Sequence, residues 1–464
     1  MVDRLTALDA SFLTFEDSRT PMHVGQVLIF RAPAGFDPNV IRRRIELRLD
    51  DDPRFRRRLL SVPGHLANPV WVDDGAFDLA DHVHRSALPS PGNREQLGEF
   101  VARVTSRQLD RAHPLWEVDI VEGLQDGRLA VVTKTHQAMI DEAHALELAG
   151  LVIDAGGEQE ERAPKEWSAQ PEPSRTELVG RALVDAMRSP RNLIETVRAG
   201  AGDLRENGRR VLSVASALAR AWTRPQTGPL DVRAGTSRRF AMVDTDLDEY
   251  RQVRRQVTAG GSDIDVHDVA LAVVTGALRS WLQTRGESIQ GNSTMRAMVP
   301  VSLDGGAGVG SRVHPLFVDL PIGEGSPIVR LLQVAHSMRR ELGGGTAVKA
   351  ATLAGLGGFA APRLHSLGAR VGAAVGRRLF ALTVTNVPGP TAQLHCGRAV
   401  LEATYPVMPI GPGQSLSVGM TSYHGQVHYG LLGDRIALSD LDVLAGLIDD
   451  SLAELLAATR RYPR

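Results

Sequence analysis

Several things are scarce in this 464-residue chain. It has one cysteine, Cys396. That excludes an internal disulfide framework, an all-cysteine zinc site and an iron–sulfur cluster. No uncharged apolar run reaches the ~18 residues a membrane-spanning helix needs; the softest stretch, Ala350 to Pro362, is too short. Met1 to Leu13 carries Asp3 and Asp9 and no apolar h-region, so no secretory signal is read there. Net charge is scarce too, since 53 basic and 54 acidic side chains leave −1. A strongly basic nucleic-acid binder is excluded as the default, and nucleic acid is not an expected partner. Lysine occurs only at Lys134, Lys165 and Lys349, so arginine supplies nearly all the positive charge. A cytoplasmic protein is the expectation.

What is present is an ordinary globular composition, 43% hydrophobic and 23% charged. Hydrophobic periodicity divides the chain into three segments. In residues 1–153, Val24–Phe30 and Leu129–Thr135 read as strands, while Pro38–Leu49 and Asp141–Ile153 read as helices. Residues 154–235 open on a Glu-, Gln-, Pro- and Ser-rich linker and continue from Thr176 to Trp222 with a helical pattern broken at Pro190. Ten arginines against five acidic residues lie between Ser174 and Arg224. Two readings stay open for that surplus: bridging helices with a solvated Arg face, or an amphipathic surface resting on the inner face of an anionic membrane. In residues 236–464, Asp265–Leu282, Ile328–Leu342 and Leu441–Leu455 read as helices; Ala297–Val301, Phe317–Leu320, Leu382–Val387, Ser415–Ser422 and Gln426–Leu432 read as strands. The fold class is α/β, two mixed halves joined by a helical linker.

The segment most suited to chemistry is Lys134-Thr-His-Gln-Ala-Met-Ile-Asp-Glu-Ala-His144, where a strand runs into a helix. A side chain at such a junction projects from a rigid strand end. Its spacing resembles His-His-x-x-x-Asp-Gly, the active-site motif of the CoA-dependent acyltransferase superfamily. Other segments narrow the resemblance to the bacterial wax ester synthase/diacylglycerol acyltransferases. They are Leu5–Leu13 with Pro21-Met-His-Val-Gly25, Pro114-Leu115-Trp116, Asp268-Val-Ala-Leu-Ala272, Pro300-Val-Ser302, Val318-Asp-Leu-Pro321, Asn386-Val-Pro388-Gly389-Pro390, Tyr405-Pro-Val407, Gly413-Gln414 and Ser422-Tyr-His-Gly425. Their order runs from about residue 3 to 457.

The resemblance implies two chloramphenicol-acetyltransferase-like halves with a cleft between them. It implies acyl-CoA as co-substrate with no further cofactor and a diacylglycerol or fatty alcohol acceptor; the arginine surplus of the middle segment is where contact with a membrane or lipid-droplet surface is expected. It carries His136, Gln137 and Asp141 over as catalytic positions, Glu142, His267, Asp268, Asn386, Pro388 and Gly389 as substrate-binding ones, and Pro114, Leu115 and Trp116 as a structural motif. The motif's second histidine takes the proton from the acceptor hydroxyl, and a base must sit within hydrogen-bond reach of it. Here Gln137 stands at that position, and an amide has no useful basicity. Glu142 replaces the motif glycine, His267 an asparagine, and Ser311 a common asparagine. Candidates to substitute as the base are the histidines His136, His144 and His267 and the adjacent acids Asp141 and Glu142. The alternative is a non-catalytic homologue that binds acyl lipids or a partner acyltransferase. His82 and His84 are a close pair without further ligands nearby, so no metal site is expected. The Gly-rich stretches lack a phosphate-loop Lys-Ser/Thr, and no G-x-S-x-G is present.

Overall fold

The computed structural model describes residues 3–139, 147–154, 167–188, 228, 230–232, 234–302, 313–343 and 380–460. In chain order its strands are β1 (Asp3–Arg4), β2 (His23–Arg31), β3 (Arg57–Leu60), β4 (Val70–Asp73), β5 (Val83–Ala87), β6 (Trp116–Glu122), β7 (Arg128–His136), β8 (Arg238–Asp246), β9 (Met295–Ser302), β10 (Val313–Leu320), β11 (Leu382–Pro388), β12 (His395–Cys396), β13 (Ala399–Val407), β14 (Leu416–Tyr423) and β15 (Gln426–Asp434). Its α-helices among the described residues are α1 (Ala7–Phe15), α2 (Asn39–Arg48), α3 (Arg94–Ser106), α4 (Glu147–Gly150), α5 (Arg175–Arg188), α6 (Leu247–Ala259), α7 (Val266–Thr284), α8 (Pro327–Gly343) and α9 (Leu441–Thr459).

Two six-stranded mixed sheets form the described halves, ordered β12-β13-β2-β7-β6-β5 and β10-β9-β11-β14-β15-β8. The expected two-half α/β architecture is therefore present. β7 explains how the first half is built. It is central, so both of its faces are buried, and residues 129–132 read as a continuous apolar run. Leu129 and Val131 point into one core with Ile41 and Ile45 of α2, while Ala130 and Val132 point into another with Leu97, Phe100 and Val101 of α3. Gly25 of β2 has no room for a side chain, because a Cβ there would fall onto the Thr133 carbonyl oxygen of β7. The second half has one larger core under α6, α7, α8 and α9, with Trp281, Leu331 and Leu441 fully buried.

The chain does not keep the second sheet's strands contiguous. β13, although it belongs to residues 236–464, pairs antiparallel with β2 of the first sheet before β14 returns to the second. Tyr423, at the end of β14, follows it: its hydroxyl donates to Leu401 O at 3.1 Å and accepts from Leu394 N at 2.9 Å. A charged cluster adds a second tie. Arg94 of α3 donates to Asp244 of β8 at 2.5 Å and to the Tyr405 hydroxyl of β13 at 3.2 Å. His428 of β15 shares a 2.7 Å hydrogen bond with the same aspartate. These partners hold the Asp244 carboxyl well below the usual carboxylate range, although burial opposes them.

The strands and helices read from the sequence in the second half all occur, with ends displaced by up to a few residues. The sequence reading does not identify β5, β6, β8 or β13 as strands. Of the expected helix Asp141–Ile153, only α4 and the turn after it lie within the described residues. Of the helical pattern Thr176–Trp222, α5 is described and the remainder lies outside.

Candidate active site

β7 ends at His136, and two backbone bonds fix the turn beyond it. His136 N donates to Leu115 O at 2.9 Å, and Gln137 N donates to Met22 O at 2.9 Å. The turn Gln137–Met139 is thus gripped by the Pro-Leu-Trp segment on one side and the start of β2 on the other. Ala138 N then donates to His136 Nδ1 at 3.0 Å. A backbone N–H only donates, so Nδ1 accepts and the neutral ring carries its proton on Nε2. Nε2 faces Glu16 Oε2 at 3.6 Å. The ring is fully buried, with both nitrogens directed into the fold. His136 holds the turn, and Gln137, half-buried, is the side chain presented at it.

Glu16 organises this end of the sheet. Besides His136 it contacts His23 Nε2 at 3.1 Å and Arg111 Nη2 at 2.8 Å, and it accepts from Met22 N at 3.3 Å. Its carboxyl is buried, which alone favours the neutral form, yet the surrounding His136, His23 and Arg111 hold it far below the usual carboxylate range. Burial pulls His23 down to about 4, with the Glu16 bond opposing and Lys134 adding to the shift. Lys134 is itself buried and paired with Glu117 at 3.1 Å, and burial pulls its ammonium down as well. Sequence reasoning misses Glu16, His23 and Arg111 as site residues. The available signal is the Met-His-Val-Gly motif, and nothing in the letters ties residue 23 to residue 136.

The Pro114-Leu115-Trp116 motif is structural here. Leu115 supplies the carbonyl that receives His136, and Trp116 Nε1 donates to Phe55 O at 2.7 Å. His82 stacks on the Trp116 ring at 4.6 Å and on Phe77 at 5.1 Å, which accounts for one member of the His82/His84 pair. His84 instead lies 3.9 Å from the buried Asp119. Among the described residues no cluster of three or more His, Cys, Asp or Glu is placed to hold a metal.

A second group forms at the start of α7. Asp265 caps the helix and Asp268 completes a capping box, each side chain accepting from the other's backbone N–H at 2.9 and 3.1 Å. Burial pushes Asp268 up to about 6. Between them His267 Nδ1 lies 2.8 Å from Asn386 Nδ2. Asn386 sits near the end of β11; Pro388 is the last residue of that strand, and Gly389 packs so closely that a Cβ would fall onto Ser422 O. The structure therefore brings His267 and Asn386 together, while Gly389 packs against β14 and Asp268 serves the helix start. Among the described residues no hydrogen bond or ion pair joins this group to His136 or Gln137. Asp141, Glu142, His144 and Ser311 lie outside the described residues.

The profile of the wax ester synthase/diacylglycerol acyltransferase catalytic domain matches residues 5–269, and that of the WS/DGAT C-terminal domain matches residues 309–456. The chain belongs to the wax ester synthase/diacylglycerol acyltransferase family. It is 41% identical over 262 residues to a probable diacylglycerol O-acyltransferase of Mycobacterium tuberculosis H37Rv, covering 55% of this chain and 96% of that one. A second probable diacylglycerol O-acyltransferase from the same strain is 31% identical over 485 residues, covering 99% and 97%. Among solved structures, the wax ester synthase/diacylglycerol acyltransferase of Marinobacter aquaeolei VT8 superposes with a TM-score of 0.69 at 26% identity, covering 98% of this chain and all of that one.

Proposed function

We propose that this family member transfers an acyl group from acyl-CoA to the hydroxyl of diacylglycerol or a long-chain alcohol, and that Gln137 alters how the proton is handled. The hydroxyl oxygen bonds to the thioester carbon, the carbon–sulfur bond breaks, and the proton lost by the hydroxyl ends on the CoA thiol. Acyl-CoA is a co-substrate, and no other group enters this balance. The observation that carries the reading is the gripped turn at the end of β7: full-length family membership comes with His136 held as a structural histidine and residue 137 displayed beside it. An amide at 137 orients a hydroxyl through a hydrogen bond without removing its proton. Holding both reactants in place supplies part of the rate by itself. A missing base typically costs about 10²–10⁴-fold, so we expect slow transfer.

A second reading has one observation in its favour. Both His136 nitrogens are directed inward, so His136 does not replace the missing base. On that reading the chain is a non-catalytic homologue that binds acyl lipids or a partner acyltransferase. Transfer of labelled palmitate from palmitoyl-CoA to diolein and to hexadecanol separates the two. Slow turnover by wild type that rises in Gln137→His supports the enzyme. Silence in both, with retained acyl-CoA binding, supports the binder.

The setting we propose is the cytoplasm, at the surface of a membrane or lipid droplet. The arginine surplus of residues 174–224 motivates it, and α5 with its i,i+4 Glu177–Arg181 pair is the described part of that stretch. No helix among the described residues is long and apolar enough to cross a membrane. Flotation with anionic liposomes tests the idea, and equal recovery with neutral liposomes or in high salt would remove its electrostatic basis.

A further inference from the structure

His267 is the second residue of α7, and its ring is fixed by Asn386, whose Nδ2 lies 2.8 Å from Nδ1. An amide NH₂ only donates, so Nδ1 accepts and the proton of the neutral ring sits on Nε2. That Nε2 is buried and has no hydrogen-bond partner among the described residues. Burial lowers the ring's pKa, which keeps the imidazole neutral at ordinary pH. A buried polar atom without a partner calls for an explanation, one of which is an acceptor that arrives with a ligand; His23 Nδ1, His82 Nε2, His136 Nε2 and His428 Nε2 share this state, so what singles out His267 is its position.

The location fits a ligand. β9, β11 and β14 run parallel to one another, and His267 and Asn386 stand at the carboxyl end of β11, a usual position for a ligand in an α/β sheet. The same end faces the first half. Three residues beyond Met420, the register partner of Asn386, Tyr423 enters the first half's core beside Leu148, Leu151 and Val152, on the chain downstream of the Gln137 turn.

We propose that His267 Nε2–H is a hydrogen-bond donor to the thioester carbonyl oxygen of acyl-CoA, and that Asn386 is the positioning residue that fixes the required tautomer. As the acceptor hydroxyl adds to the carbonyl carbon, the π pair of the C=O bond moves onto oxygen, where Nε2–H meets the developing charge. On collapse the pair returns, the carbon–sulfur bond breaks, and CoA leaves with the proton the hydroxyl gave up. The role is that of a neutral electrophilic imidazole, not of a base. This inference rests on the acyl-transfer reading.

The test compares His267→Phe, His267→Asn and Asn386→Ala with wild type in palmitoyl-CoA transfer, with thermal melts to verify folding. Losing one such donor typically lowers kcat by about 10²–10³-fold, and that is the expectation for His267→Phe with KM little changed. Asparagine keeps an N–H but has no basicity, so His267→Asn should recover about tenfold or more of that loss. Equal loss in His267→Asn and His267→Phe, or full activity in His267→Phe, overturns the proposal. A second readout does not depend on turnover: the ¹⁵N resonance of His267 Nε2 on adding S-(2-oxoheptadecyl)-CoA, a ketone that binds but cannot transfer. A shift in wild type that is lost in Asn386→Ala supports the donor even if no ester forms, in which case only the acyl-transfer reading fails. No shift overturns the donor.

Discussion

His23 and His136 are register partners on adjacent antiparallel strands, their rings edge to face at 5.8 Å, and one carboxylate, Glu16, reaches both. The pair converts two residues more than a hundred positions apart into a single anchor for the turn that carries Gln137.

Glu16→Gln should destabilise the protein strongly. The variant removes the charge that pairs with Arg111 and receives His23, while leaving both buried rings in place. Removing one partner of a buried charged cluster costs about 3–5 kcal/mol. The native carboxyl titrates far below its ordinary 4.5, so its contribution is complete above that pH and is lost as pH falls beneath it. Urea unfolding at pH 7.5 reads the loss; an unchanged midpoint would show that Glu16 anchors nothing.

His23 gives a second acid-sensitive window with its own position. Its folded pKa is lowered from 6.5 to about 4, so the fold favours the neutral ring. Stability is unaffected above pH 6.5 and falls as pH drops from there toward about 4. By about pH 5 the loss is about 2 kcal/mol. His23→Gln should flatten the denaturation midpoint between about pH 6.5 and 5 relative to wild type. A variant as acid-sensitive as wild type in that window would assign the effect elsewhere.

Trp116→Phe tests the Pro-Leu-Trp motif as architecture. The substitution leaves the Phe55 carbonyl without its 2.7 Å donor and opens space against His82. A buried group left unpaired costs about 1–3 kcal/mol, with a packing loss added. We expect reduced stability with KM for acyl-CoA unchanged in the folded fraction. A selective rise in KM would instead place the indole at the substrate.

Cys396 should be inert in the native protein. It is fully buried, and burial pushes its thiol up to about 12. The thiolate is the reactive form. A chromogenic disulfide reagent should therefore find no thiol in the folded chain and one after denaturation. Rapid labelling of native protein would show that the end of the first sheet opens.

The sequence made the periodic elements legible where one local rule governed them. The apolar face of α7, with Asp265 and Asp268 three apart as a reciprocal cap, announces a helix from neighbours alone. The motifs likewise pointed to the ends of elements, and His136, Gln137, His267 and Asn386 each lie at or near a strand or helix end. β13 was harder. Its Ala399-Val-Leu-Glu-Ala-Thr-Tyr-Pro-Val407 run has apolar residues at most positions and a proline near its end, and its pairing with β2 lies across more than 350 residues. Strand register of that range has no local signal.

By itself the sequence determined the family, the two-half α/β plan and the glutamine at position 137, because these depend on residue identity and short-range pattern. Only the tertiary structure decided what the retained histidines do. Protonation and tautomer are set by which donor or acceptor stands within about 3 Å, and those partners come from distant strands. Ala138 and Glu16 turn His136 inward as an anchor. Asn386 leaves His267 with a buried N–H that no described residue receives.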